Sequence, residues 1–404
     1  MPLRDRLGGL LRSADFAAFR LMVGVRAAFW LLAAVCLLWA PLHSGIPSFP
    51  SYNSQTDLIF NTFAQWDAGW FYRIAERGYD VRQSAAFFPL YPLLVRALDA
   101  VMGSIVVAGV LISLVSAGLG AVFFSRIARL DSPKTAADSL LLLTFYPIGF
   151  VFTSVYSDGL FFALSTAAFL AALRKRSVAS GVLAGLAVAT RIAGLALLPA
   201  LIVLLWPRRG EPREWLRLVP PLVCIPGAVF VYSVYLHYHF HDAFAFSHAQ
   251  SAFWLRHTPT LGPLGGLWDA LRSGEQGVAQ LILHLPAQGG SPGGYDPPEQ
   301  WAIWNIVQAL LLLAALWLTW VAWKKIGAAY GVYSLATIVI LLGSVADVNP
   351  LVSIPRFLLS DFPLFLALGV VVENRPRLRI GLLTSFSAVG AVAAVAFSRG
   401  VWVA

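Results

Sequence analysis

Residues 65–80 read Gln65-Trp66-Asp67-Ala68-Gly69-Trp70-Phe71-Tyr72-Arg73-Ile74-Ala75-Glu76-Arg77-Gly78-Tyr79-Asp80, and residues 86–94 read Ala86-Phe87-Phe88-Pro89-Leu90-Tyr91-Pro92-Leu93-Leu94. This stretch is the first break in a chain that is otherwise a succession of apolar runs. The run before it, residues 16–42, and the one after it, residues 104–124, are each long enough to cross a bilayer. Crossing a hydrocarbon core about 30 Å thick takes roughly 20 apolar residues in a helix. The break is too rich in charged and aromatic groups to be a span itself. It sets one carboxylate, Asp67, between Trp66 and Trp70 at the edge of a membrane. A lone acid in that setting is a candidate catalytic base.

Working outward, the 404 residues are 58% hydrophobic and only 12% charged, with a mean hydropathy of +0.73. Such a composition excludes an ordinary soluble globule. The apolar runs have helical length and lack the period-two alternation of a membrane barrel, so the chain reads as all-α and polytopic. Cys36 and Cys224 both fall inside apolar runs and are too few for a disulfide framework or a metal cluster. Arg20 and Arg26 interrupt the first run, and no convincing small-residue cleavage site follows it, so it reads as a retained span rather than a signal peptide.

The formal charge of +9 is distributed as topology requires, not as a nucleic-acid surface would. Basic residues gather in short clusters between spans: Arg4, Arg6 and Arg12; Arg126, Arg129 and Lys134; Arg174, Lys175 and Arg176; Arg208, Arg209, Arg213 and Arg217; Lys324 and Lys325; Arg375, Arg377 and Arg379. Placing all of these in the cytoplasm follows the positive-inside rule. It yields eleven spans near residues 16–42, 104–124, 137–153, 158–173, 178–190, 192–205, 216–238, 301–323, 328–345, 357–371 and 378–397. The external parts are then residues 43–103, the tips at 154–158 and 189–192, a long loop at 239–300, and a short loop at 347–355. Residues 87–102 read as an interfacial helix: Arg96 and Asp99 interrupt them, and a span there would put the Arg174–Arg176 cluster on the wrong side. No linker or fixed-period repeat divides the chain, so residues 1–404 read as one domain.

Each candidate residue has a bland reading beside a functional one. If residues 63–79 are helical, Trp66, Trp70, Phe71, Ile74 and Ala75 share a face, suiting a helix anchored in the headgroup plane. Asp67 is then either a base or an acid complementing the helix dipole from the first turn. Asp158, in Tyr156-Ser157-Asp158-Gly159, is a second acid or an N-cap for the returning helix. Arg191 is costly at membrane depth unless it lines a cavity or meets an anion, so it is a phosphate contact or a snorkelling side chain. Arg356 opens a later span and carries the same pair of readings. Around His237, His239, His241, His248 and His257 no acid or cysteine completes a plausible metal shell at short range; packing or hydrogen bonding to phosphate or sugar suits them better. Gly-rich phosphate loops, Ser/His/Asp orders and zinc-protease motifs are lacking.

Taken together, Trp66-Asp67, Ile74-Ala75-x-x-Gly78-Tyr79 and Ala86-Phe87-Phe88-Pro89-Leu90-Tyr91-Pro92 resemble the signature of the phosphatidylinositol-glycan class V (PIG-V) family. Matches continue in order with Tyr146-Pro147 and Phe152, then 156–161, then 189–195, and finally Arg356-Phe357-Leu358. The resemblance departs at Asp158, where family members usually carry Glu, and in the loop 239–300. It implies a GT-C glycosyltransferase fold with interfacial helices and a catalytic acid in the first external segment. It also implies inverting transfer of mannose from a polyprenyl-phosphate-mannose donor to a lipid or cell-envelope acceptor, with no metal or cofactor. On that resemblance Asp67 is the catalytic base and Asp158 a second acid, with Arg191 and Arg356 on the donor phosphate. Trp66, Trp70, Tyr79, Tyr91, Tyr156 and His248 are then the expected pocket or interfacial side chains. Compact loops and high Ala, Leu and Arg content suggest a bacterial plasma membrane with the site on its outer face. The competing class is a flippase or transporter, in which the same charges would bind rather than react; such carriers favour internal repeats and broken helices near the bilayer midplane.

Overall fold

The computed structural model describes residues 13–39, 62, 64–207, 211–283, 298–346 and 349–403. The first part of the expected external segment, residues 43–61, lies outside these, as do Arg4, Arg6, Arg12, Arg208 and Arg209 and residues 284–297 of the long loop. A chain this apolar must bond its backbone to itself, which helices do within one segment. All eleven expected apolar segments are helical, wholly or in part.

In chain order, α1 is Ala14–Trp39, α2 Ala68–Arg77, α3 Leu90–Met102, α4 Ile105–Asp131, α5 Ala136–Thr144, α6 Asp158–Leu173, α7 Ser177–Val188 and α8 Leu197–Leu205. Then come α9 (Val219–Phe240), α10 (Ala245–Trp254), α11 (Pro263–Leu283), α12 (Pro298–Val321), α13 (Ala328–Leu342), α14 (Ile354–Ser360), α15 (Phe362–Val372) and α16 (Pro376–Ser398). Two short strands, β1 (Arg256–His257) and β2 (Val345–Ala346), pair antiparallel with Arg256 opposite Ala346.

Five helical segments are long and apolar enough to cross a membrane unaided: Ala14–Cys36, Ile105–Asp131, Leu216–Phe240, Trp301–Ile326 and Pro376–Ser398. The α14–α15 pair passes the same test but bends by 82°. Three breaks fall within or between the remaining expected spans, and they have local causes. Pro147 follows Tyr146, whose ψ of 134° takes it out of helix, and Pro147–Phe152 continues as a 3-10 turn. Arg191 is extended (φ −158°, ψ 139°) before the 3-10 turn Ile192–Ala196. At the last break Asp361 has ψ 74°, two residues before Pro363.

Arg26, inside the first span, has a structural explanation. It is fully buried, and its Nη2 donates to the Thr144 carbonyl at the C-terminal end of α5, where a helix dipole favours a cation.

Three expectations need correction. The helix expected over 63–79 is only Ala68–Arg77; Trp66 precedes it at φ 57° and so does not share the face carrying Phe71, Ile74 and Ala75. The interfacial helix expected from Phe87 begins at Leu90, and Gly103 ends it in the left-handed conformation. The long loop contains α10 and α11. The 21-residue α11 was hidden because its buried face is Gly266, Ala270, Ser273, Gly274 and Gly277. Such residues read as loop but allow close helix contact in a membrane. A Cβ at Gly277 would lie 2.5 Å from the Ala302 carbonyl of α12.

Candidate active site

Asp67 sits at the N-cap of α2, yet its side chain makes no capping bond. Trp66, at φ 57°, turns the chain sharply, and the Ala68 and Gly69 amides bond back to Gln65 and Trp66. The carboxylate looks away from the helix: its Oδ2 accepts from Arg356 Nη1 at 2.5 Å. The capping reading therefore gives way to an ion pair spanning 289 residues of sequence.

Asp158 opens α6 and is completely buried. Arg356 Nε reaches Oδ1 and Oδ2 at 3.1 and 3.0 Å, and Nη2 reaches Oδ2 at 2.8 Å. Arg191 Nη1 also donates to Oδ1. The expected N-cap role fails here too, and Ser157 makes no capping bond either. The two carboxylates and two guanidiniums pair with one another, as charges held away from water must be paired and hydrogen-bonded to offset their desolvation. Aromatic faces complete it, with the Arg356 Cζ 4.3 Å from the Tyr156 ring centre and the Arg191 Cζ 5.2 Å from that of Phe357. The side chains of Asp67 and Arg191 are 16% and 14% exposed, against 0% for Asp158. The cluster thus has a closed side at Asp158 and a reachable side at Asp67 and Arg191.

A second layer holds the first in place. Tyr156 donates to the Gln65 carbonyl at 3.1 Å, tying the α6 turn to the residue two before Asp67. Ser113 of α4 donates to the Tyr156 carbonyl at 3.0 Å, and Tyr91 bonds Ser113 at 2.8 Å and the Gly109 carbonyl at 3.0 Å. Gly159 lets α6 approach α4: a Cβ there would lie 2.5 Å from the Ser113 carbonyl oxygen. Tyr79 donates to the Phe87 carbonyl at 2.7 Å, and Tyr232 to the Ala85 carbonyl at 2.9 Å, fixing the segment between α2 and α3. Trp70 stacks on Phe87 with centroids 6.0 Å apart and meets Trp254 of α10 at 5.9 Å. Trp66 packs edge-on to Trp402 at 5.2 Å. Of the expected pocket residues, His248 stands apart: it is exposed on α10 and bonds Asp242 Oδ2 at 2.8 Å.

Arg256 is a member that the sequence did not reveal. From β1 it donates to the carbonyls of Ser344 at 2.9 Å and Val352 at 3.2 Å, clasping both ends of the segment that leads into Arg356. Burial pulls its guanidinium down to about 10, opposed by the nearby Asp67 carboxylate, so it remains charged at neutral pH. An arginine between two segments carries no signal by itself; only the β1–β2 pairing gives it meaning. Asp361, inside an expected span, is also buried, at the 82° bend, and accepts from Ser334 at 2.6 Å.

Fold and site define a polytopic helical membrane protein whose buried charges meet where its helices break. Within that class, residues 24–206 match the mannosyltransferase (PIG-V) family. Asp67, Asp158 and Arg191 lie inside the matched segment; Arg356 lies outside it. A mouse protein named GPI alpha-1,6-mannosyltransferase 2 is 29% identical over 213 residues, covering 48% of this chain and 43% of the relative. Its rat counterpart is 28% identical over 206 residues, covering 46% and 42%. The match thus spans less than half the length of these curated relatives. No solved structure matches significantly.

Proposed function

We propose that the protein is an integral-membrane inverting glycosyltransferase of GT-C type, with Asp67 as general base. Mannose would pass from polyprenyl-phosphate-mannose to a hydroxyl of a lipid or cell-envelope acceptor, on the outer face of a bacterial plasma membrane. The observation that carries this reading is the convergence of Asp67, Asp158, Arg191 and Arg356 from four separate segments, with Asp67 the more reachable acid.

In the proposed step the acceptor oxygen attacks the anomeric carbon and its proton passes to Asp67 Oδ1. The bond from that carbon to the phosphate oxygen breaks, and the electron pair leaves with the lipid phosphate. Guanidinium groups suit a phosphate bearing this growing charge. Arg191 has donors to spare, since one Nη1 bond goes to Asp158. Arg356 serves both acids. A donor phosphate would therefore compete with Asp67 for Arg356 Nη1 and leave the carboxylate free to take a proton. Asp158 acts as a positioning residue that holds both arginines.

Transfer from a short-chain prenyl-phosphate-mannose in detergent tests the assignment. Asp67→Asn should lose about 10²-fold or more of turnover, the usual scale of general-base catalysis, while still binding donor. An Asp67→Asn protein turning over near the wild-type rate would sink it. The broken helices at the site also favour a carrier. Detergent has no compartments, so a carrier would give no product under the same conditions.

A further inference from the structure

The far end of α6 carries a second charged site that the proposed reaction does not use. Asp158 opens α6 and Arg174 follows its last residue, so the length of a 16-residue helix, about 24 Å at 1.5 Å per residue, separates the two. There the start of α1 and the ends of α4 and α6 meet around an open cavity of about 500 Å³, lined by Ser13, Asp15, Arg126, Arg129, Leu130 and Arg174.

Asp15 organises this cavity. Its Oδ2 accepts from Arg126 Nε at 3.0 Å and Nη2 at 2.6 Å, and its Oδ1 accepts from Arg129 Nη2 at 2.5 Å. One carboxylate thus holds two guanidinium planes and leaves Arg126 Nη1 and Arg129 Nη1 to bond elsewhere. The Arg174 side chain, exposed on the same wall, makes no hydrogen bond or ion pair among the described residues. Three guanidiniums against one carboxylate leave two positive charges around the cavity, matching the charge of a phosphate monoester. Leu130, 56% exposed, puts apolar surface beside it. Three apolar helices end here, on the side where the basic clusters gather. Basic pockets between spans on that side are suited to acidic lipid headgroups.

We propose that this cavity binds the phosphate group of an acidic lipid, in the leaflet opposite the Asp67 cluster. The guanidinium forks take the phosphate oxygens and Leu130 lies along the first methylenes of an acyl chain. The site is independent of the glycosyltransferase reading, because binding and not transfer reports it.

The test titrates the purified full chain in neutral detergent, at fixed ionic strength, with dioctanoyl phosphatidic acid, dioctanoyl phosphatidylcholine or inorganic phosphate, following thermal stability and native mass. Phosphatidic acid should bind saturably and raise the melting temperature, with phosphatidylcholine inert and inorganic phosphate at least tenfold weaker. Arg174→Gln keeps the Asp15 pairs and should still fold, yet weaken phosphatidic acid at least tenfold; Arg129→Gln should do the same. Equal binding of the two lipids would overturn the headgroup assignment. Inorganic phosphate binding as tightly as phosphatidic acid would overturn the lipid as its source. Unchanged affinity in both variants would remove the site altogether.

Discussion

Arg356 is the residue on which the cluster turns, because one planar fork serves two acids from different helices. Lysine could match its charge but not its geometry, since an ammonium is a point donor. Arg356→Lys should therefore fold with modest loss while donor-dependent turnover falls at least about tenfold, one bond's worth at 1.4 kcal/mol. Arg356→Gln should be far worse for stability. It leaves Asp158 and Asp67 facing each other with a single guanidinium, and breaking a buried pair costs about 3–5 kcal/mol. Denaturant unfolding in detergent would show the gap between the two variants. Adding Asp158→Asn to Arg356→Gln should recover part of the loss, whereas independent sites would simply add. These residues were legible in the sequence because charges in apolar surroundings need a reason. Arg256 was not, since its partners are backbone carbonyls nearly a hundred residues away.

At the level of elements, the apolar segments were legible and their interruptions were not. Length and hydropathy locate a helix but do not say what meets its end, as Arg26 meets the Thr144 carbonyl at the end of α5. The glycine-lined face of α11 shows the same limit, because small residues suit a loop and a tight helix contact equally. Gly159 makes a sharper case, for its missing Cβ sets the distance from α6 to α4 and so the height of Asp158. Gly159→Ala should push the helices apart and cost about 1–3 kcal/mol as overpacking, with turnover falling further than the melting temperature alone would suggest. The end of α2 offers a pH-dependent test. Arg73 Nε meets Asp80 Oδ1 at 2.8 Å and Nη2 meets Oδ2 at 2.9 Å, and the bonds from Arg73 hold the Asp80 carboxyl below its usual range. A depressed acid contributes stability above its unfolded value, about 3.9, and loses it as pH falls through the folded one. Asp80→Asn should therefore cost up to about 1 kcal/mol at pH 7, given how partly exposed pairs behave. The difference from wild type should vanish in acid below the folded value, as pH-dependent melting would show.

Across the whole molecule, charge sorts to the two ends of the helices. The Asp67 cluster, Arg256 and the β1–β2 pair gather at one end, while Asp15, Arg126, Arg129 and Arg174 gather at the other. Lys324 and Lys325 lie between α12 and α13, and α13 then leads to β2, so these lysines sit at the end away from Arg256. If the positive-inside rule sets the orientation, the acid cluster faces out and the arginine cavity faces in. That orientation can be tested without any activity. In a background where Cys36 and Cys224 are replaced, Ser251→Cys on the exposed surface of α10 and Lys324→Cys should report opposite sides. A membrane-impermeant thiol reagent added to sealed, right-side-out vesicles should label the first within minutes and the second only after the vesicles are opened. Labelling in the reverse order would turn the molecule over and place the proposed transfer on the cytoplasmic face. It would also move the lipid-phosphate cavity to the outer leaflet, so one measurement constrains both sites.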